Sequence, residues 1–224
     1  MPFARSKGKS MSKIYLIRHG EVEFNRKNAY IGSTDLALND HGRHQAELAA
    51  EYLADKQISA VYASDLKRAY ETAEIIAREM GLAVTAVPEL RELDYGDWEG
   101  VAEAEVPKLY GDVFLEWRKN PVDIRIPGGE TVGELRDRAY PAFCGIVDQH
   151  SDDNLVIVAH KTTNRTLLCC LLGVDVNGYR QIGQSNAAMN VIERRKDGRL
   201  VVDQINEGCH LLVAGEELLE DRTG

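Results

Sequence analysis

Hydrophobic positions along this chain fall into short solid blocks separated by stretches with helical spacing. KIYLI (13–17) is an apolar run of β-forming residues ending at Arg18, and it predicts a buried strand. Residues 40–55 follow with Gly42, Ala46, Ala49, Ala50 and Leu53 on one face and Asn39 or Asp40 as N-cap, predicting a helix whose small residues pack close to a sheet. Ile58 to Tyr62 predicts a second strand. Ser64 is then expected to cap a helix over 65–80, whose apolar stripe includes Leu66, Ala69, Ala73, Ile76 and Met80 and whose C′ position is Gly81. AVTAV (83–87) is a short strand. The run NLVIVA (154–159) is the clearest buried strand, preceded by a helix over 130–149 and followed by one over 161–172 that stops at Gly173. Residues 187–194 and 200–205, joined around Asp197-Gly198, read as a closing hairpin.

Between these elements, residues 91–128 are irregular and rich in glycine and proline, with helical fragments around 103–119. They read as an insertion over one end of the sheet, where binding loops lie. Alternating strands and helices predict an α/β three-layer sandwich with a mostly parallel central sheet and helices on both faces. The domain covers 13–213, with a loose leader at 1–12 in which Met11 is a second candidate start, and an acidic tail at 214–224. In an open sheet of this kind, ligands bind beyond the carboxyl ends of the strands.

Composition narrows the partners. A net charge of -9 disfavours nucleic acid, which requires a dense basic face. No apolar run reaches about 18 residues, so no membrane span is expected, and the basic start lacks the apolar core of a signal peptide. Cys144, Cys169, Cys170 and Cys209 lack CxxC spacing and read as reduced thiols of a cytoplasmic protein. No pattern with metal-ligand spacing is present, so neither metal nor other cofactor is expected.

The chemistry-bearing residues sit where the sheet rule places them. Arg18, His19 and Gly20 follow the first strand and His160 follows the strongest one. Arg68 lies in the first turn after the second strand, and Glu92 opens the insertion. Each has a plainer explanation. Arg68 lies off the apolar stripe and could pair with Glu71 on a solvated face, worth about 0.2–0.5 kcal/mol. Glu92 is one acid among Glu89, Asp94, Asp97 and Glu99, and either histidine could simply satisfy a backbone carbonyl. Their shared placement favours function. An arginine fork binds phosphate oxygens in bidentate fashion, a neutral imidazole nitrogen can attack phosphorus, and a carboxylic acid can protonate the leaving oxygen.

At these residues the sequence resembles the histidine phosphatase superfamily, which includes the cofactor-dependent phosphoglycerate mutases. RHGEVEFN (18–25), GSTDLALNDHGRHQA (32–46), SDLKRAYETAE (64–74), ELRELDYGDWEG (89–100), PGGET (127–131) and VAHKTTNR (158–165) resemble the family's blocks in order, over about 13–211. The resemblance implies a phosphoglycerate mutase-like fold. It implies His19 as nucleophile, Arg18, Arg68, His160 and Asn25 as phosphate ligands, and Glu92 as general acid and then base. One departure stands out. Where the family has Ser or Thr, then His-Gly, this chain has Ala159-His160-Lys161. If that glycine needs a positive φ, lysine is strained there. If not, its ammonium attracts an anionic substrate, the reading preferred here.

The resemblance leaves a choice between phosphatases, which transfer the phosphoryl group to water, and mutases, which return it to substrate. Mutases resemble one another in a basic run within 92–128, whereas DYGDWEGVAEAEVPKLYGDV here is acidic with Lys108 its only base. The expected activity is therefore hydrolysis of small phosphate monoesters through a phosphohistidine, with mutase-type transfer second and a non-catalytic phosphate-ligand-binding protein third. Among the aromatic residues of the loops, Phe24 and Tyr30 flank the RHG segment and are the candidates for substrate contact. Tyr95, Trp98, Phe114 and Trp117 are expected mainly to form a satellite core. These residues are compatible with assembly as a homodimer.

Overall fold

The computed structural model describes residues 11–216; the predicted leader and tail lie almost wholly outside them. A six-stranded sheet runs in the order β3-β2-β4-β1-β5-β6. β1 (Ser12–Arg18), β2 (Ile58–Ala63), β3 (Val84–Ala86) and β4 (Asn154–Ala159) are mutually parallel, while β5 (Met189–Arg194) and β6 (Leu200–Glu207) form the antiparallel closing hairpin. The sheet is thus mostly parallel, as its alternating pattern predicts.

Strand periodicity divides the core into two layers. Tyr15 and Ile17 of β1, with Val156 and Val158 of β4, face α1 (Asp40–Leu53) and α2 (Lys67–Glu79). Ala49, Ala50, Ala69 and Ala73 line that interface, so the helices approach the sheet closely. Ile14, Leu16, Leu155 and Ile157 point the other way, toward α4 (Val132–Gln149) and α5 (Lys161–Leu172), through Leu135, Phe143 and Leu167. Burial on both faces explains why β4 reads as one continuous apolar run.

Helix ends follow local chemistry in most places. Asn39 caps α1 by accepting the Gly42 N–H at 2.7 Å. Thr131 and Glu134 close a capping box on α4, and Gly173, at φ 66°, ends α5. Ser64 Oγ accepts the Leu66 N–H at 3.3 Å, but ahead of the helix, whose N-cap position is Leu66. α2 begins at Lys67, and its first N–H donates instead to Asp35 Oδ1 at 2.7 Å, so a carboxylate more than thirty positions upstream does the work expected of the neighbouring serine.

The insertion contains α3 (Val106–Lys119), kinked where Gly111 takes φ 41°. Trp98 and Trp117 meet edge-to-face at 4.9 Å, and Phe114 packs beside both. These rings merge with the core under α4 and α5. A 3-10 segment over Val176–Gln181 and α6 (Cys209–Val213) have no counterpart in the predicted elements, both being too short for periodicity to show. Among the described residues, no helix is long and apolar enough to cross a membrane.

Candidate active site

Parallel pairing of β1 with β4 sets Arg18 opposite Ala159. The next residue on each strand is a histidine, so His19 and His160 leave the sheet side by side, with ring centroids 5.2 Å apart and planes tilted by 58°. The His19 N–H donates to the Ala159 carbonyl at 3.0 Å, tying the two strand ends together. Sheet register alone brings together residues separated by most of the chain.

The His19 ring sits 2.7 Å from the Gly20 carbonyl through Nδ1, which must therefore be the protonated nitrogen. Nε2 keeps its lone pair. The loop carrying this ring is held from several directions. Gly20 N–H donates to Thr72 Oγ1 at 3.0 Å, and Asn186 Nδ2 donates to the His19 carbonyl at 3.1 Å. Ala187 N–H is shared between the Arg18 and His19 carbonyls. A β-carbon on Gly20 would overlap the Gly42 carbonyl, so the loop and the start of α1 touch through their backbones.

Arg68 is almost wholly enclosed, at 1% exposure, which rules out the solvated ion pair with Glu71. Its Nη1 and Nη2 donate to the Thr34 and Gly32 carbonyls at 2.8 and 2.7 Å, and its Nε donates to His160 Nδ1 at 3.2 Å. That last bond leaves the His160 proton on Nε2, a buried donor with no partner among the described residues. Arg18 extends Nη1 to the Gln184 carbonyl at 2.5 Å. Burial, reinforced by the Arg68 charge, holds both histidines well below the ordinary imidazole value of 6.5. Burial also lowers Arg68 to about 10, which leaves it a cation at neutral pH. Neutral imidazoles thus stand beside fixed guanidinium charge.

Glu92 is buried at the start of α5. Its Oε2 accepts the Thr162 N–H at 3.0 Å, and its Oε1 accepts those of Leu93 and Thr163 at 2.8 and 3.2 Å. The carboxylate therefore caps α5, the helix that begins immediately after His160. Asn25 uses Oδ1 to accept the Val22 N–H at 2.9 Å, leaving its amide N–H2 as the donor for other groups.

Lys161 is the first residue of α5, and it is not among the residues with positive φ, so its place beside His160 carries no backbone strain. Its side chain lines a pocket beside Glu92 together with Tyr30, Arg118 and Arg180. Tyr30 also packs on Tyr95 at 4.7 Å, so it belongs to both pocket and satellite core. Phe24 is half-buried in a 3-10 turn over Glu23–Lys27 and is not part of this lining. Sequence reasoning passed over Asn186, Gln184 and Thr72, which hold the loop, and Arg118, Arg165 and Arg180, which line the pocket. Among the described residues, no three His, Cys, Asp or Glu side chains gather as a metal-binding group.

The model of the histidine phosphatase superfamily (branch 1) matches residues 14–207, and the chain belongs to that family. Phosphoserine phosphatase 1 of Hydrogenobacter thermophilus is 33% identical over 201 residues, which is 90% of this chain and 95% of that protein. Phosphoglycerate mutase-like protein 4 of Arabidopsis thaliana is 41% identical over 159 residues, covering 70% of this chain and 69% of the relative. Among solved structures, mycobacterial glucosyl-3-phosphoglycerate phosphatase with VO3 superposes with a TM-score of 0.78 at 29% identity, covering 88% of this chain and 100% of that one.

Proposed function

We propose that this chain hydrolyses small phosphate monoesters without a metal ion, in two steps through a phosphohistidine on His19. The observation that carries the reading is the fixed tautomer of His19. Its Nδ1–H is bound to the Gly20 carbonyl, so a neutral, buried ring keeps its Nε2 lone pair near the charges of Arg68 and Arg18, with the His160 ring centroid 5.2 Å away. Nε2 attacks phosphorus and the ester oxygen leaves, taking a proton from Glu92. Water, deprotonated by the same carboxylate, then attacks the phosphohistidine and releases inorganic phosphate. Arg18, Arg68, His160 and Asn25 hold the phosphoryl oxygens, where fixed donors stabilise the spreading charge. The setting we propose is cytoplasmic, supported by cysteines that are all unbridged.

Return of the phosphoryl group to an organic acceptor is the second reading, favoured by the basic side chains of the pocket beside Glu92, which the acidic insertion sequence conceals. Hydrolysis of p-nitrophenyl phosphate in EDTA, compared between wild type and His19→Ala, tests the proposal. Turnover that survives EDTA and is lost in the variant is the expected result. Chelator-sensitive turnover, or turnover that survives loss of His19, would overturn the mechanism. A silent wild type that transfers phosphoryl groups between phosphoglycerates given a bisphosphate primer would install the mutase reading. Phosphate-ligand binding with neither activity would install the non-catalytic one.

A further inference from the structure

The backbone of His19 is gripped by a turn whose central residue is strained. Ala187 takes φ 54°, in the left-handed region that a β-carbon disfavours. Both of its backbone groups are engaged there. Its N–H lies 3.1 Å from the Arg18 carbonyl and 3.2 Å from that of His19. Its own carbonyl lies 3.1 Å from His210 Nε2. His210 belongs to α6 and is buried, with its ring 5.7 Å from that of Tyr52 on α1. One residue thus separates a buried imidazole from the backbone of the proposed nucleophile.

A carbonyl only accepts, so His210 carries its proton on Nε2 and turns the Nδ1 lone pair the other way. There Nδ1 meets Glu207 Oε2 at 4.0 Å, and both atoms are buried with no hydrogen-bond partner among the described residues. The second carboxylate oxygen, Oε1, accepts the Cys209 N–H at 2.6 Å and fixes the group in that position. A proton added at Nδ1 would serve both atoms. Burial resists it, holding the ring below the ordinary imidazole value against the pull of Glu207. At neutral pH the ring therefore stays neutral and makes one donation, to Ala187.

We propose that His210 is a positioning residue for phosphoryl transfer: its Nε2–H holds Ala187 in the left-handed turn whose N–H fixes the Arg18 and His19 carbonyls, and so sets the line along which His19 Nε2 attacks. The proposal rests on the reading of His19 as nucleophile. His210 acts through backbone alone, so its loss leaves the phosphate-binding side chains in place and misaims the attacking nitrogen. Small misalignments of this kind cost rate rather than binding.

His210→Gln and His210→Phe separate the donor from the packing. Glutamine can carry an amide N–H close to the place of Nε2, whereas phenylalanine keeps a ring against Tyr52 and donates nothing. For p-nitrophenyl phosphate at neutral pH, His210→Phe should lower kcat about tenfold or more, with KM changed less than about twofold. His210→Gln should retain most of the wild-type kcat. Ala187→Gly removes the steric cost of the left-handed turn, so in that background His210→Phe should cost roughly a third as much or less. Glu207→Gln keeps an oxygen for the Cys209 N–H and turns an NH2 toward Nδ1, so it should raise the melting temperature and preserve kcat. Equal kcat in the Gln and Phe variants, a loss that falls on KM, or a melting temperature lowered by Glu207→Gln would overturn the assignment and leave the phosphatase intact. Should His210→Phe not fold, His210→Asn, whose amide falls short of the Ala187 carbonyl, replaces it with the same expectations. A wild type without turnover would instead sink the phosphatase reading. Hydrogen exchange at the Ala187 amide then decides the positioning role. Faster exchange in the variant without the donor than in His210→Gln supports it, and equal rates overturn it.

Discussion

Arg68 donates its Nε–H to Nδ1 of His160 across 3.2 Å, and this single bond decides which nitrogen of that histidine carries the proton into the site. The guanidinium is held for this by the Thr34 and Gly32 carbonyls. Arg68→Lys keeps the charge and loses the planar fork. One ammonium cannot reach two carbonyls and an imidazole while also facing a phosphoryl group. We expect kcat/KM for p-nitrophenyl phosphate to fall about 10²–10³-fold and stability to drop by roughly 1–3 kcal/mol through unmatched buried acceptors. Steady-state kinetics paired with urea unfolding measures both. A variant with near wild-type kinetics would remove Arg68 from the phosphate site.

The two histidines carry a pH signature. Burial and the Arg68 charge hold both well below 6.5 in the folded protein. The nucleophile therefore stays neutral, and the acid limb of kcat/KM that belongs to His19 should lie below pH 6.5. Stability has the same sign. The unfolded chain takes up these protons near pH 6.5 and the folded one does not, so the contribution is complete above 6.5 and is lost as pH falls below it toward the depressed folded values. Melting temperature measured from pH 8 to pH 5 should decline more shallowly in His160→Gln than in wild type. A steeper decline in the variant would contradict the assignment.

Much of this architecture was legible because local signals and tertiary structure agree. NLVIVA is β4 to the residue, since Leu155 to Ala159 are buried on both faces and leave no polar position to interrupt the run. His19 and His160 were visible as residues after strands, and their pairing follows from parallel register. The start of α2 was misread because its first N–H is satisfied from Asp35, across a contact that no neighbouring residue announces. The basic pocket was hidden for a related reason. The stretch from Asp94 to Val113 is acidic, and Arg118, Arg165 and Arg180 are scattered over three elements that only the fold assembles.

Glu92 couples chemistry to helix capping. Both of its oxygens accept backbone N–H groups, two of them from the first turn of α5. Glu92→Gln turns one acceptor into an NH2 that opposes a backbone donor, and it removes the proton carrier. Turnover should fall about 10²–10⁴-fold, with a loss of roughly 1–3 kcal/mol in stability. Glu92→Asp should restore little activity, since the shortened side chain cannot reach the same donors. An ester with a very acidic leaving group should be less affected than an alkyl phosphate. Equal losses on both would argue against proton donation.

Two glycine-to-alanine substitutions in helices should change stability in opposite directions. Alanine favours a helix interior over glycine by about 0.8–1.0 kcal/mol; Gly145 is interior to α4, whereas Gly42 lies in the first turn of α1, where less of that preference applies. At Gly145 in α4 a β-carbon meets nothing within 4 Å, and Gly145→Ala should stabilise by about that amount. At Gly42 in α1 the same atom would overlap the Glu21 backbone, which adjoins Gly20 and His19. Relieving that overlap requires α1 or the loop to shift, and overpacking of this kind costs about 1–3 kcal/mol, enough to outweigh the propensity gain. Gly42→Ala should therefore destabilise, and because the shift reaches the nucleophile's loop it should also lower kcat for p-nitrophenyl phosphate. Urea unfolding of both variants beside their kinetics distinguishes the effects. A stabilised Gly42→Ala with full activity would mean that the contact between α1 and the His19 loop yields freely.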